Sequence, residues 1–266
     1  MTARPAPKHL QGSVAALWEL RGDVRGQYAG LPKPYAEFVI SLSGWHVWRS
    51  AENASPLTYL DGWLTPVQAA PRFAQTFGRL HLIGARLHPA SAARLAGPAD
   101  ASGPAFPIPL DALLGTAGRQ LRQWLLDAKN KESRFQVLAS WLQTQLGCDG
   151  PAWLPDVHDL GRLGWRVDGL AEQLGLSTRG LHKRFVQQLG IGPKLWLQLG
   201  RFDAALRCRP ASRPLADLAV DLGYSDQAHM TAEFRRFAGV SPGTYIRSRM
   251  RAAAPDDAPH LVPARA

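Results

Sequence analysis

The chain has 266 residues, 45% of them hydrophobic and nine of them tryptophan, a composition that supports packed cores and excludes an intrinsically disordered chain. Two cysteines, Cys148 and Cys208, are too few and too far apart for a disulfide framework or a paired-ligand zinc site, and both are read as structural. The net charge of +10 asks for an anionic partner if it is concentrated; no apolar run approaches the ~20 residues of a membrane span, and MTARPAPKHLQGSV has no apolar signal core. A cytoplasmic protein with no membrane partner is expected, and its length suggests two domains.

In chain order, the first β-rich runs are Tyr35–Leu42 (YAEFVISL), Val47–Trp48 and Leu80–Leu87 (LHLIGARL), bounded by Gly, Pro, Asn and Ser. They predict a small sheet or barrel over residues 13–90. Helices follow over 109–147. Leu110–Asp127 and Ser133–Leu146 carry the stripes Leu110/Leu114/Leu121/Leu125 and Phe135/Leu138/Leu142/Leu146, as a helical hairpin or a dimer surface would. GCDGPAWLP, residues 147–155, reads as a linker. The expected division is a first domain over 1–150, linker and first helix over 151–165, a second domain over 166–251, and a flexible tail over 252–266.

The second domain contains a repeat. Leu170, Ala171, Leu174, Gly175 and Ser177 recur as Leu218, Ala219, Leu222, Gly223 and Ser225. One residue is then gained, so that Phe185 matches Phe234, Gly190 matches Gly239 and Pro193 matches Pro242. Each copy reads as two helices joined by a glycine turn. Asp168 is the expected cap of the first short helix and Pro214 the first-turn proline of its counterpart. Gly175 and Gly223 stop those helices, and Ser177 and Ser225 start the next ones. Leu181 and Phe185 share one face of the following helix, as do Met230, Phe234 and Phe237 in the second copy; all are core positions. Between the copies, PKLWLQLGRFDAAL forms a helix with Leu195, Leu199, Phe202 and Leu206 on one stripe, which fixes the two units to each other.

The charge is concentrated here too, with 14 Lys and Arg against 7 Asp and Glu over 166–251, compared with 16 against 12 over 1–165. Arg179, His182 and Lys183 fall opposite Leu181 and Phe185, on an outward face that can offer donors to guanine in the major groove. In the second copy Ala228, Thr231, Ala232 and Arg235 point outward, and Gln227 in the first turn can read adenine. Base reading is therefore assigned to Arg179, His182, Lys183, Gln227 and Thr231. Phosphate contact is assigned to Ser177, Lys194, Arg201, Ser225, Arg235 and Arg236. The alternative for each cation is an ordinary solvated surface.

From about Asp156 to Arg251 the sequence resembles the tandem helix-turn-helix domain of the AraC/XylS family of bacterial transcription regulators. GYSDQAHMTAEFRRFAGVSPGTYIR is similar to that family's C-terminal signature, and LAEQLGLSTRGLHKRF followed by GIGP fits its first unit, with Gly180 and Gly192 where larger or hydroxyl residues are usual. The resemblance places base-reading positions at Arg179, His182 and Lys183, and at Gln227, Ala228 and Ala232. PKPYAEFVISLSG, DGWLTPVQ and GRLHLIGARLHPASAARLAG resemble, in order, the cupin-like sensory halves of such regulators. The mouth of such a barrel would hold a small-molecule effector, with Glu37, Arg86 and His88 as its polar residues. The fold class is then α+β: an N-terminal small sheet or cupin-like barrel with a helical hairpin, and a C-terminal all-α tandem helix-turn-helix domain.

The implied function is a one-component, sequence-specific regulator of transcription, an activator by resemblance. Its partners would be double-stranded promoter DNA, RNA polymerase, a small-molecule effector and a second copy of the chain. A metal-dependent cupin enzyme fused to a DNA-binding domain is one alternative, and an architectural DNA binder another. The enzyme reading lacks a ligand set. His81 and His88 are seven apart and face opposite ways on a regular strand, and no Gly-Xaa-Ser-Xaa-Gly elbow, phosphate-cradling glycine loop or Cys/His nucleophile pair occurs. No catalytic residue, metal or cofactor is expected.

Overall fold

A computed structural model describes residues 2–22, 26–49, 55–96, 107–147, 165–207, 214–251 and 261–263. Cys148, Cys208, the expected linker beyond Gly147 and most of the expected tail lie outside the described residues. Among those described, nine strands form one antiparallel sheet. They are β1 (Thr2–Pro5), β2 (Val14–Gly22), β3 (Gly26–Gly30), β4 (Ala36–Arg49), β5 (Leu57–Tyr59), β6 (Gly62–Thr65), β7 (Arg72–Leu87), β8 (Ile108–Pro109) and β9 (Leu261–Pro263). The main path runs β1-β2-β7-β4-β6-β8, with β3 on β7, β5 on β4, and β9 on β3. Leu261–Pro263 of the expected flexible tail is thus a strand of the N-terminal sheet.

At 14 and 16 residues, β4 and β7 are far longer than the five or six residues typical of a strand. Their pairing slips between Ser41 and Trp45, opposite the His81-to-Phe77 stretch of β7. Such bulges bend strands, so one pair of strands serves both halves of the curved sheet. Side chains alternate between its faces. One face presents Leu17, Phe38, Ile40, Leu64, Ile83, Ala85 and Leu87 to helices; the other gathers Trp18, Val39, Trp48, Tyr59, Trp63, Ala74 and Leu82.

The helices on the first face are α2 (Leu110–Leu114), α3 (Thr116–Asp127) and α4 (Lys131–Leu146), with α1 (Pro89–Ala96) after β7. The segment expected as one helix from Leu110 to Asp127 is divided at Gly115, whose φ of 52° interrupts the helix. Asn130 caps α4, accepting from the Ser133 N–H at 2.9 Å while Ser133 Oγ accepts from Asn130 N–H in return. Leu121 and Leu125, with Phe135, Leu138, Leu142 and Leu146, are buried against the sheet. The apolar stripes therefore form the hairpin's core contact and are not a dimer surface. Glu19 is buried at the edge of this layer, where Arg134 donates to it at 2.9 Å and His81 Nε2 lies 2.6 Å away.

The C-terminal domain comprises α5 (Val167–Gln173), α6 (Thr178–Leu189), α7 (Pro193–Arg207), α8 (Leu215–Asp221), α9 (Gln227–Ala238) and α10 (Pro242–Arg251). It has two principal cores. Leu170, Ala171, Leu181, Phe185, Trp196 and Leu197 form the first. Leu199, Phe202, Leu206, Phe234, Phe237, Ala238 and Tyr245 form the second, which also takes in Leu31 and Val67 from the sheet domain. The linking helix α7 supplies residues to both. No described helix is long and apolar enough to cross a membrane.

Candidate nucleic-acid interface

The repeat survives down to individual hydrogen bonds. After α5, the Leu176 N–H donates to Ala171 O at 2.9 Å and the Gly175 N–H to Glu172 O at 3.0 Å. After α8, the Tyr224 N–H donates to Ala219 O at 2.9 Å and the Gly223 N–H to Val220 O at 3.0 Å. Both turns use a left-handed glycine to satisfy the last carbonyls of a helix, with φ of 63° at Gly175 and 73° at Gly223. The chain is thereby redirected into the second helix of each unit.

The extra residue of the second copy lies in this turn. Ser177 caps α6, accepting from the Gly180 N–H at 3.1 Å. In the second unit that task passes from Ser225 to Asp226, which accepts from the His229 N–H at 2.7 Å. The His229 amide, followed by Ser225, holds the exposed Asp226 carboxyl below its ordinary pKa. Ser225 Oγ instead contacts His229 Nδ1 at 3.0 Å. Two further caps differ from expectation. Arg166 is the N-cap residue of α5, leaving Asp168 in the first turn, and Pro214 is itself the N-cap of α8, one position earlier than its predicted place.

Leu181 and Phe185 anchor α6, and the Phe185 ring meets Trp196 edge-on at 5.3 Å. The opposite face leaves Arg179, His182 and Lys183 exposed. A Cβ on Gly192 would stand 3.2 Å from His182 Nε2, so the small residue at 192 makes room for that ring. On α9, Met230, Phe234 and Phe237 are buried, while Gln227, Ala228, Ala232, Arg235 and Arg236 are exposed and Thr231 is half-buried. The Arg236 guanidinium lies 5.0 Å from the centre of the Phe237 ring. Lys194 is exposed at the start of α7.

Arg201 departs from its predicted role. Its side chain is only 14% exposed and faces Glu233, itself 4% exposed, with Nη2 3.4 Å from Oε2. Gln198 Nε2 donates to the same oxygen at 2.7 Å, and the Arg201 guanidinium lies 5.2 Å from the centre of the Tyr224 ring. The residue faces inward on α7 because α9 crosses it there and brings a buried carboxylate needing a partner. It ties α7 to the second unit, and phosphate contact is withdrawn for it.

In the sheet domain, Glu37 and Arg86 come together on paired strands with 3.9 Å between their charged groups. Lys33 is ion-paired with Glu37, and the Arg86 guanidinium lies 5.1 Å from the centre of the Tyr35 ring. His88 is engaged elsewhere, with Nε2 3.0 Å from Gln11 O. Sequence reasoning missed Lys33 and Tyr35, although the spacing in KPYAE was a usable signal: alternate residues of extended chain share a face. Two indole N–H groups, of Trp18 and Trp48, are buried on the aromatic face without a hydrogen-bond partner. His46 is buried there too, and burial pulls its imidazole down to about 4. Among the described residues, no three His, Cys, Asp or Glu side chains converge as a metal site requires.

Comparison with known proteins bears on the same region. A helix-turn-helix domain family matches residues 170–248. The transcriptional activator RhaS of Escherichia coli is 37% identical over 115 residues, covering 43% of this chain and 36% of that protein. The chain thus matches about a third of the length of these curated relatives. Among solved structures, the DNA-binding domain of AdpA in complex with a target DNA is 28% identical, covering 36% of this chain and 90% of that one, with a TM-score of 0.33. ToxT from Vibrio cholerae is 11% identical, covering 87% of this chain and 98% of that one, with a TM-score of 0.45.

Proposed function

We propose that this chain, whose residues 170–248 match a helix-turn-helix domain family, is a one-component transcription regulator of the AraC/XylS type that reads promoter DNA through α6 and α9. The observation that carries this reading is the exposed polar face on the second helix of two units whose turns are hydrogen-bonded alike. Arg179, His182 and Lys183 are the principal base readers, with Gln227 and Thr231 contributing from the second unit. Ser177, Lys194, Arg235 and Arg236 hold phosphates, whereas Ser225, whose hydroxyl is engaged by Asp226 and His229 beside a fixed negative charge, does not. The helix of each unit enters the major groove, and the tandem spans successive turns of one DNA face.

The sheet domain is the sensor. Its effector is a small molecule bearing hydrogen-bond acceptors, a class suggested by the buried indole donors of Trp18 and Trp48, which have no hydrogen-bond partner. A second copy of the chain docks at the groove between α3 and α4, an open volume of about 1000 Å³ lined by Trp124, Val137 and Trp141, beside which Trp124 remains half exposed. Activation by contact with RNA polymerase completes the proposal.

Footprinting of the full-length protein on its own upstream region tests the central claim. Protection of a defined site, with affinity falling steeply as salt rises, is expected because neutralised phosphates release counterions. Uniform protection without a preferred site would leave an architectural binder; no affinity at low salt would end the DNA-binding reading.

A further inference from the structure

The sheet domain touches the C-terminal domain at three separate places. Helix α1 packs against α6, the second helix of the first unit. Leu31 and Val67, 0% and 5% exposed, enter the core of the second unit beside Phe202, Phe234, Phe237 and Tyr245. Between them, Tyr35 reaches α7 itself: Arg207, paired with Asp203 at 2.8 Å, also hydrogen-bonds the Tyr35 side chain. Tyr35 and Asp203 are 5% and 1% exposed, so this contact is a buried one.

Those contacts straddle the joint of the tandem domain, where one helix serves both cores. Helix α7 hands over from one core to the other within a few residues, with Trp196 and Leu197 in the first and Leu199, Phe202 and Leu206 in the second. Gly200 lies at that handover, and glycine inside a helix costs about 1 kcal/mol relative to alanine. Arg201 and Gln198 fasten this part of α7 to Glu233 of the second unit, while Phe185 and Trp196 fasten its start to the first. Among the described residues, none of the sheet domain covers Arg179, His182, Lys183, Gln227 or Arg235, which remain exposed while the domains are docked. The docking therefore does not act by hiding the reading faces.

We propose that the sheet domain is a splint across the two helix-turn-helix units, holding the first through α1, the second through Leu31 and Val67, and α7 through Tyr35, so that it sets the angle between the reading helices. The functional meaning of that angle rests on the DNA-binding reading; the mechanical claim does not. Tyr35 belongs at once to the Lys33/Glu37/Arg86 cluster and to the contact with α7, so a change in that cluster has a direct path to the joint.

The test uses the full-length protein without DNA, with Cys148→Ser and Cys208→Ser, and spin labels at the exposed positions Gln187→Cys on α6 and Val220→Cys on α8. Pulsed electron resonance then reads the distance between the two units. One narrow distribution is expected for this parent. Tyr35→Phe, which removes a single oxygen and leaves the ring in place, should broaden it, and Tyr35→Phe with Leu31→Ala should widen it at least twofold. Hydrogen exchange of α7 amides should rise about five- to tenfold in Tyr35→Phe, the factor that one net hydrogen bond is worth. If Leu31→Ala unfolds the chain, the single Tyr35→Phe variant decides. Unchanged distances and unchanged exchange in Tyr35→Phe would overturn the splint. A protein that shows the expected broadening but binds no DNA would instead sink the functional reading and leave the splint standing.

Discussion

Replacing Arg201 by alanine separates an internal tie from a DNA contact. The guanidinium is 14% exposed and lies 3.4 Å from a carboxylate oxygen of Glu233, a buried residue of α9 whose side chain is 4% exposed. Removing one member of a buried ion pair costs about 3–5 kcal/mol where nothing else satisfies the remaining charge. Here Gln198 still donates to Glu233 at 2.7 Å, and the 3.4 Å separation is long for a charge-assisted bond, so about 2 kcal/mol is the expected loss. Urea denaturation measures that loss directly, and Arg201→Ala with Glu233→Gln should recover part of it because the uncompensated charge is then gone. DNA titrations at several salt concentrations should give Arg201→Ala the parental slope. Parental stability combined with a shallower slope would refute the internal role and restore Arg201 to the phosphate contacts.

At the reading face, Arg179→Ala should lose about 1–3 kcal/mol of discrimination at one or two base pairs in a selection from randomised DNA, whereas Arg235→Ala should weaken all sequences alike and reduce the salt slope by about 1. If the two variants exchanged these behaviours, reader and anchor would be reversed. Gly175→Ala should destabilise the protein by about 1 kcal/mol in chemical denaturation, because a Cβ there meets no atom within 4 Å and only the left-handed backbone opposes it; a loss above about 3 kcal/mol would point to a steric role. His46 should make the protein acid-sensitive: with its folded pKa pulled to about 4, it stays neutral while the unfolded chain takes up a proton near pH 6.5. Its stabilisation is complete above pH 6.5 and is lost progressively as pH falls towards 4. About 2 kcal/mol should be gone at pH 5, and His46→Gln should show a smaller loss in denaturant titrations at pH 7 and pH 5; an equal loss would assign the sensitivity to other groups.

How far the sequence could be read depended on whether a residue's fate was decided locally. The helix-turn-helix units were legible because each turn needs a glycine at one position and an apolar pair at helical spacing, and both needs are written in consecutive residues such as Gly175, Leu181 and Phe185. Strands β4 and β7 were found only in part, since their length depends on pairing through the irregularity at Ser41–Trp45, a property of two distant segments. Strand β9 was invisible for the same reason: Leu261–Pro263 becomes a strand only because β3 has a free edge. Arg201 was misread because helical periodicity marks which way a side chain points and says nothing of what crosses the helix there. Glu233, 32 positions away, supplied that answer. Lys33 and Tyr35 were overlooked because a proline lies between them, yet the alternation they share with Glu37 survives it.

The two units, alike in their turns, differ where they would meet DNA, and the difference is electrostatic as well as steric. The N-terminus of α6 is closed by a serine, a neutral group that leaves the positive end of the helix available to a phosphate. At the start of α9 the corresponding place is taken by the Asp226 carboxylate, which accepts from the His229 amide and is held ionised by it. A fixed negative charge at that end opposes the close approach of a phosphate, and the exposed residues immediately following it include Ala228 and, one turn on, Ala232, which can donate nothing to a base edge. The cations of α9, Arg235 and Arg236, come only in its last turn, where they also complement the helix dipole. Arg179, His182 and Lys183 of α6, by contrast, follow directly on its neutral cap. On the DNA-binding reading proposed above, the added residue that moved the cap from a serine to an aspartate therefore does more than lengthen a turn: with both helices in the groove, it leaves most of the base reading to the first unit and gives the second mainly the backbone contacts of its last turn.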